Sequence, residues 1–182
     1  LEEEPFTQPS TENFYQNETD ALAALTAAYA RLKSGMGYYK QQFLPTLFAS
    51  SDQGLSTYLY NEFKRGIVTS TNQSLNNLWK ELYLGIREAN NVIANVPNID
   101  MDEELKHRII GEAKFLRALH YFNLVRCFGE VPLRTTPVEA GDDQGLAVSS
   151  IVEIYDSIID DLNYASLHCW GRNESRGNYT ND

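Results

Sequence analysis

The run from Gly111 to Pro137, GEAKFLRALHYFNLVRCFGEVPLRTTP, limits the possible folds more than any other part of the chain. Ile109, Ala113, Leu116, Ala118, Leu119, Phe122 and Val125 recur at helical period, which predicts an α-helix with one face in a core. Gly129 and Pro132 end it, because glycine accepts the positive φ of a helix terminus and proline cannot continue the helical hydrogen bonds. Arg117 and Arg126 stand among these large apolar neighbours. A guanidinium placed at a core has to be paired. At least one of the two is therefore expected to be buried and bonded to a carboxylate or to backbone carbonyls, with Glu88, Glu112 and Asp161 as candidate partners.

Three further segments carry the same period. Asn17 to Asp20 offers an N-cap and early acids. From Ala21 to Leu32 a helix is predicted with Leu22, Leu25, Ala28, Tyr29 and Leu32 inward, ended by Gly35 and Gly37. Leu75 to Val96 is a second strong helix, with Leu75, Leu78, Trp79, Leu82, Ile86, Ala89, Val92, Ile93 and Val96 on one face and Pro97 as its stop. Asp100 or Asp102 caps the third, which runs to about Phe128 and sets Glu104 and Arg108 at i,i+4 toward solvent. Ser149 or Ser150 caps a fourth, with Ile151, Ile154, Tyr155, Ile158, Ile159 and Leu162 inward. Phe43 to Ala49 is a short apolar segment carrying Pro45, Val131 to Pro137 an extended connector, and Ala140 to Ala147 a polar loop. Strand signals are weak. The reading is all-α, with long antiparallel helices packed in pairs. Trp79, Leu82, Leu116, Phe122 and Ile158 are expected to be buried together. The Trp79, Leu82, Gly85 spacing and the Ala118, Phe122, Val125 spacing resemble tetratricopeptide helices, without a clean repeat.

Composition narrows the function. Hydrophobic residues make up 42% of the chain, so it is globular. A net charge of −10 argues against nucleic acid and against charge-driven docking on an anionic leaflet. No apolar run approaches the ~18 residues that a membrane span needs. Cys127 reads as a buried inert thiol, with a bridge to Cys169 as the alternative. Catalytic chemistry has little support. His107, His120 and His168 fall in no metal-ligand spacing, and His120 reads as a structural histidine. Asp160 and Asp161 are adjacent on a helix and diverge. Asp100, Asp102, Glu103 and Glu104 suit a helix N-terminus better than a calcium loop. No phosphate loop and no nucleophile elbow occur. The expectation is no enzyme, no metal and no cofactor. Asn-x-Ser/Thr triplets at Asn17, Asn72, Asn173 and Asn178 are short patterns, and a helix cap explains the first.

The least regular stretch is Ser51 to Ser74, rich in Ser, Thr, Asn and Gly. Long aperiodic loops inside a domain are uncommon unless they are functional. Tyr58, Tyr60 and Phe63 lie there without a helical face that needs them. Exposed rings stack on the apolar C–H faces of sugars, while Asp52 and Asn61 can bond hydroxyls. These five are the candidate glycan-binding residues. The competing reading is a loop pinned to the domain by its own aromatics.

Several motifs together resemble the SusD/RagB family, the glycan-binding lipoproteins of the Bacteroidetes outer membrane. They are Leu1 to Pro5, the first helix from Glu18 to Leu32, Ser51-Asp52, Trp79 through Tyr83, Ile86, Ala89-Asn90 and Ile93, then Gly111 to Ala113, Phe115 to Ala118, Tyr121, Leu124 to Arg126 and Phe128-Gly129 to Leu133, and finally Tyr155, Ile158 to Leu162 and Ala165. Trp79, Arg117, Tyr121, Arg126 and Pro132 form the structural part of that signature. The resemblance implies tetratricopeptide-like helical hairpins in the N-terminal part of a SusD-like fold. It implies non-catalytic capture of an oligosaccharide or polysaccharide at the cell surface. The implied partner is a SusC-like TonB-dependent transporter, and the implied anchor is an N-terminal lipid that this chain does not include. On the same basis residues 1–16 are expected to be an extended leader, 17–165 the SusD-like helical domain, and 166–182 a divergent or truncated tail. Leu1 is no natural initiator, and Cys169-Trp170 onward departs from the family pattern, so the chain is expected to be part of a longer protein with an incomplete site. The alternative function is a tetratricopeptide-like scaffold for protein–protein interaction.

Overall fold

The computed structural model describes residues 14–33, 43–49, 51, 61–138 and 145–169. The elements are α1 (Glu18–Ala30), α2 (Phe43–Ala49), α3 (Asn61–Arg65), α4 (Gln73–Asn95), α5 (Glu103–Phe128), β1 (Val131–Pro132), β2 (Val148–Ser149) and α6 (Ile151–His168). Short 3-10 turns follow α1 at Arg31–Lys33 and α4 at Val96–Asn98.

Local chemistry sets the helix starts. The Asn17, Asn72, Asp102 and Ser150 side chains each accept a backbone N–H of the first turn. Ser150 does so in a capping box with Glu153, whose carboxylate accepts from the Ser150 N–H at 2.8 Å. Pro97 lies in the turn that follows α4. Gly129 closes α5 at φ 73, a backbone state that side chains rarely tolerate.

Helix α5 is the centre of the packing. Residue pairs 85/120 and 90/117 join it to α4, and pairs 122/155 and 117/161 join it to α6, in opposing order. Both neighbours therefore run antiparallel to it, as helical hairpins. The N-terminal half of α5 packs with α1 and the end of α4 through Ala21, Leu25, Ala28, Val92, Ile109 and Leu116. The C-terminal half packs through Leu78, Leu82, Ile86, Tyr121, Leu124, Ile154 and Ile158, with Phe43 of α2 in the same cluster. Residues 131–138 return along the α4–α5 hairpin, and β1 pairs with β2 antiparallel at Val131–Ser149 and Pro132–Val148.

Several expectations change. Phe122 is 37% exposed, and Trp79 is only partly buried against the core that contains Leu82 and Ile158. On α6 only Ile154, Ile158, Asp161 and Ala165 are buried, while Ile151, Tyr155, Ile159 and Leu162 are exposed. A helix resting on a single neighbour buries a narrow stripe, not the broad face its apolar content suggests. In α1 the buried face is Ala21, Ala24, Leu25 and Ala28, with Leu22 and Tyr29 exposed, because small residues allow close approach. Arg108 pairs with Glu112 at 3.5 Å. The stretch expected to be irregular holds α3 and the first turn of α4. Gly35, Gly37, most of 140–147 and residues 170–182 lie outside the described residues.

His120 shows how close α4 and α5 come. It is fully buried, and a Cβ built on Gly85 would sit 2.2 Å from its Nε2. Burial disfavours the imidazolium and lowers the pKa from 6.5 to about 4. Above pH ~6.5 the ring is neutral in folded and unfolded chains alike. As pH falls from there toward 4, the unfolded chain binds a proton that the folded chain refuses. This contribution to stability is thus lost on acidification, at up to about 1.4 kcal/mol per pH unit within that window. Urea melts between pH 4 and 7.5 on the parent and on His120→Gln should show the parent losing stability more steeply on acidification than the variant. Equal slopes would rule the assignment out.

Candidate functional site

Arg117 is the buried node from which the polar geometry is built. Its Nε donates to Asp161 Oδ2 at 2.7 Å and its Nη2 to Oδ1 at 2.8 Å, a bidentate pair with both side chains almost fully buried. Its Nη1 donates to Asn90 Oδ1 and to the Thr135 carbonyl, both at 2.8 Å. Lys114 Nζ reaches Asp161 Oδ1 at 2.9 Å. This meets the expectation of a buried, carboxylate-bonded arginine, and Asp161 is the partner among the three candidates. Glu112 instead accepts from the Tyr29 hydroxyl at 2.9 Å, and Glu88 accepts from Arg31 and Arg87. Arg126 is exposed and lies over the Phe122 ring at 4.9 Å.

The same network holds the connector against the helices. Asn90 Nδ2 donates to the carbonyls of Arg134 and Thr136, each at 3.1 Å. The Tyr121 hydroxyl accepts from the Arg134 N–H at 2.7 Å and donates to its carbonyl at 2.9 Å. Burial pushes that phenol up to about 12, so it remains a donor across ordinary pH. The Tyr83 hydroxyl donates to the Pro132 carbonyl at 2.8 Å. An irregular strand needs partners for its backbone groups, and buried side chains of α4 and α5 supply them. Tyr83 and Asn90 enter the sequence reading only as part of the family-like motif, without this role, and Arg134 does not enter it. The available signal was Asn90 itself, an amide within the apolar face that holds Ile86 and Ala89.

Between α4 and this connector lies a cleft of about 360 Å³. Trp79 and Tyr83 form part of its wall, their ring centroids 5.0 Å apart, and the Phe128 ring meets Trp79 edge-on at 5.0 Å. Lys80, Arg87, Arg134 and Thr136 also line it. Burial would raise the carboxyl of nearby Glu88, but hydrogen bonds from Arg87 and Arg31 outweigh that and hold it below the usual range. A second cavity, about 450 Å³, opens between α1, α5 and α6, with Tyr29, Phe115, Leu162 and Cys169 in its wall.

Of the sequence candidates, Asp52, Tyr58 and Tyr60 lie outside the described residues, as does the Asn61 side chain at the start of α3. Phe63 is buried, at 9% exposure, so its ring anchors α3 and offers no face to a sugar. Asn72 Nδ2 donates to Glu62 Oε2 at 2.6 Å, which ties α3 to the first turn of α4. Cys127 and Cys169 are both free thiols, half-buried, and burial raises the pKa of each. His120 packs as a structural residue. Among the described residues no three His, Cys, Asp or Glu side chains converge to hold a metal, and no helix is long and apolar enough to cross a membrane.

Comparison with known proteins gives consistent results. The family described as SusD-like, starch-binding and associating with the outer membrane, matches residues 1–169. The chain is 31% identical to SusD-like protein P25 of Formosa agariphila, over 92% of this chain and 34% of that protein. It is 27% identical to a SusD-like protein of Bacteroides ovatus, over 84% of this chain and 28% of that one. Among solved structures it is similar to a laminarin binding SusD-like protein, with TM-score 0.74 and 34% identity over 83% of this chain and 34% of the other. It is also similar to a structure with xylogluco-oligosaccharide, with TM-score 0.68 and 29% identity over 80% and 30%. The chain thus spans about a third of the length of the relatives it matches first.

Proposed function

We propose a non-catalytic glycan-capture role for this chain, which belongs to the SusD-like family of carbohydrate-binding proteins. It supplies the helical scaffold and part of the ligand surface of a longer parent. That parent acts at the cell surface, held to the outer membrane by an N-terminal lipid, and hands its oligosaccharide to a SusC-like TonB-dependent transporter. Residues 1–16 serve as the leader, 17–165 as the helical domain and 166–182 as the tail. The observation that supports the reading most is the likeness to a solved relative named for laminarin binding. Rings and hydroxyl-bonding side chains then do the work, without proton transfer or a nucleophile.

Tyr58 and Tyr60 are the proposed stacking rings, with Asp52 and Asn61 as hydroxyl partners. Replacing either tyrosine by Ala should weaken binding of laminarin or xyloglucan oligosaccharides to the family-length protein by ~1–3 kcal/mol, as for a truncated interface anchor. Melting should shift by no more than about 0.5 kcal/mol, the usual effect at an exposed position. Calorimetric titration beside urea melts checks this. Lost stability with unchanged binding would turn these rings into loop anchors like Phe63.

A second reading, a tetratricopeptide-like protein scaffold, has one observation in its favour. Phe115 and Phe122 of α5 and Tyr155, Ile159 and Leu162 of α6 are all exposed. Contiguous apolar faces of this kind accept a partner helix. Glycan binding lost in the tyrosine variants supports capture. Retained partner binding without any sugar affinity supports the scaffold.

A further inference from the structure

The cleft between α4 and the connector has a charge pattern opposite to that of the whole chain. The net charge is −10, yet among the described residues the charged side chains that line this cleft are Lys80, Arg87 and Arg134. Glu88, beside Arg87 on α4, does not cancel that arginine. Its Oε1 accepts from both Arg87 and Arg31 at 2.9 Å, so this local group of three keeps a net positive charge. Asn90, at the cleft floor, spends its amide on Arg117, Arg134 and Thr136 and contributes rigidity.

The walls are as informative as the rim. Trp79 is fixed by Tyr83 on one side and Phe128 on the other, and the Tyr83 hydroxyl is committed to Pro132. The rings are therefore set in place before any ligand arrives, which lowers the ordering cost of binding. Thr136 adds a hydroxyl on the connector side. A volume of about 360 Å³ suits one or two sugar units, at the small end of ligand sites. Fixed aromatic rings beside a cationic rim suit a ligand with an apolar ring face and a negatively charged substituent.

We propose that this cleft is a binding site for an anionic saccharide unit, a uronate or a sulfate ester, with Trp79 and Tyr83 as the ring wall and Lys80, Arg87 and Arg134 as the cationic rim. The proposal rests on the glycan-capture reading and adds a charge class to it.

The test uses the intact chain, with Trp fluorescence and calorimetry at 20 mM and 200 mM salt. The probes are tetragalacturonate, a sulfated tetrasaccharide, a neutral laminarin-derived tetrasaccharide and tetraglutamate. The variants are Lys80→Gln with Arg134→Gln, and Arg87→Gln. The expected result is binding of at least one anionic saccharide that weakens at the higher salt. The Lys80/Arg134 double variant should lose on the order of tenfold in affinity, as expected for lost charge-assisted hydrogen bonds, while neutral binding stays unchanged. Neutral saccharide bound without either anionic one overturns this proposal and leaves the glycan-capture reading intact. No saccharide bound at all overturns this proposal, while the glycan-capture reading is decided by the titration of the family-length protein. Tetraglutamate bound as tightly as the anionic saccharides overturns the assignment to a sugar. Melting curves on each variant verify the fold, since Lys80 and Arg87 are exposed.

Discussion

Replacing Asp161 by Ala is expected to destabilise the fold by about 3–5 kcal/mol, the range for removing one partner of a buried ion pair. The carboxylate receives three donors, two from Arg117 and one from Lys114. Its removal leaves the Arg117 guanidinium buried without its counter-charge and loosens the connector that Arg117 holds through Thr135. Arg117→Met should do less damage. It restores apolar volume, and Asp161 keeps Lys114. Urea unfolding of the two variants, read against the parent at pH 7, gives the order. An Asp161→Ala loss smaller than that of Arg117→Met would count against the network as described.

Gly85→Ala is the second large effect, expected near 3 kcal/mol or more, at or above the upper end of what overpacked cores lose. The added methyl would stand 2.2 Å from His120 Nε2, 2.5 Å from Cε1 and 2.7 Å from Cδ2. The obstacle is a fully buried ring on the facing helix, so α4 and α5 must separate or the imidazole must leave its site. Truncating the ring should relieve it. The Gly85→Ala, His120→Ala double variant should be markedly less destabilised than the sum of the two single changes, by more than the ~0.5 kcal/mol within which independent sites add. Additive losses would mean that the two residues do not meet.

The sequence carried the helices because helix signals are local. Apolar residues at helical period, Asn17, Asp102 and Ser150 as caps, and Gly129 as a stop act over a few residues and read the same in any fold. They gave four long helices and the all-α class. The need to pair a buried arginine was legible too, since a charge among large apolar residues has few options, but the choice of Arg117 over Arg126 was left to the fold. Family likeness was legible because several spaced motifs coincide along most of the chain. Tertiary structure decided which apolar residues count as core. Phe122, Ile159 and Leu162 have the period of a buried face yet stand exposed, because burial depends on which helix lies opposite and not on periodicity. It also decided that Asp161, and neither Glu88 nor Glu112, meets Arg117, a choice set by the antiparallel register of α5 and α6. The cleft needed the fold most of all. Trp79 and Lys80 lie far from Arg134 and Thr136 in sequence, and only the return of the connector along α4, fixed by Asn90, Tyr83 and Tyr121, brings rings and cations to one place. Local hydrogen bonding and period are encoded residue by residue, whereas a site made of distant residues exists only once the chain has closed on itself.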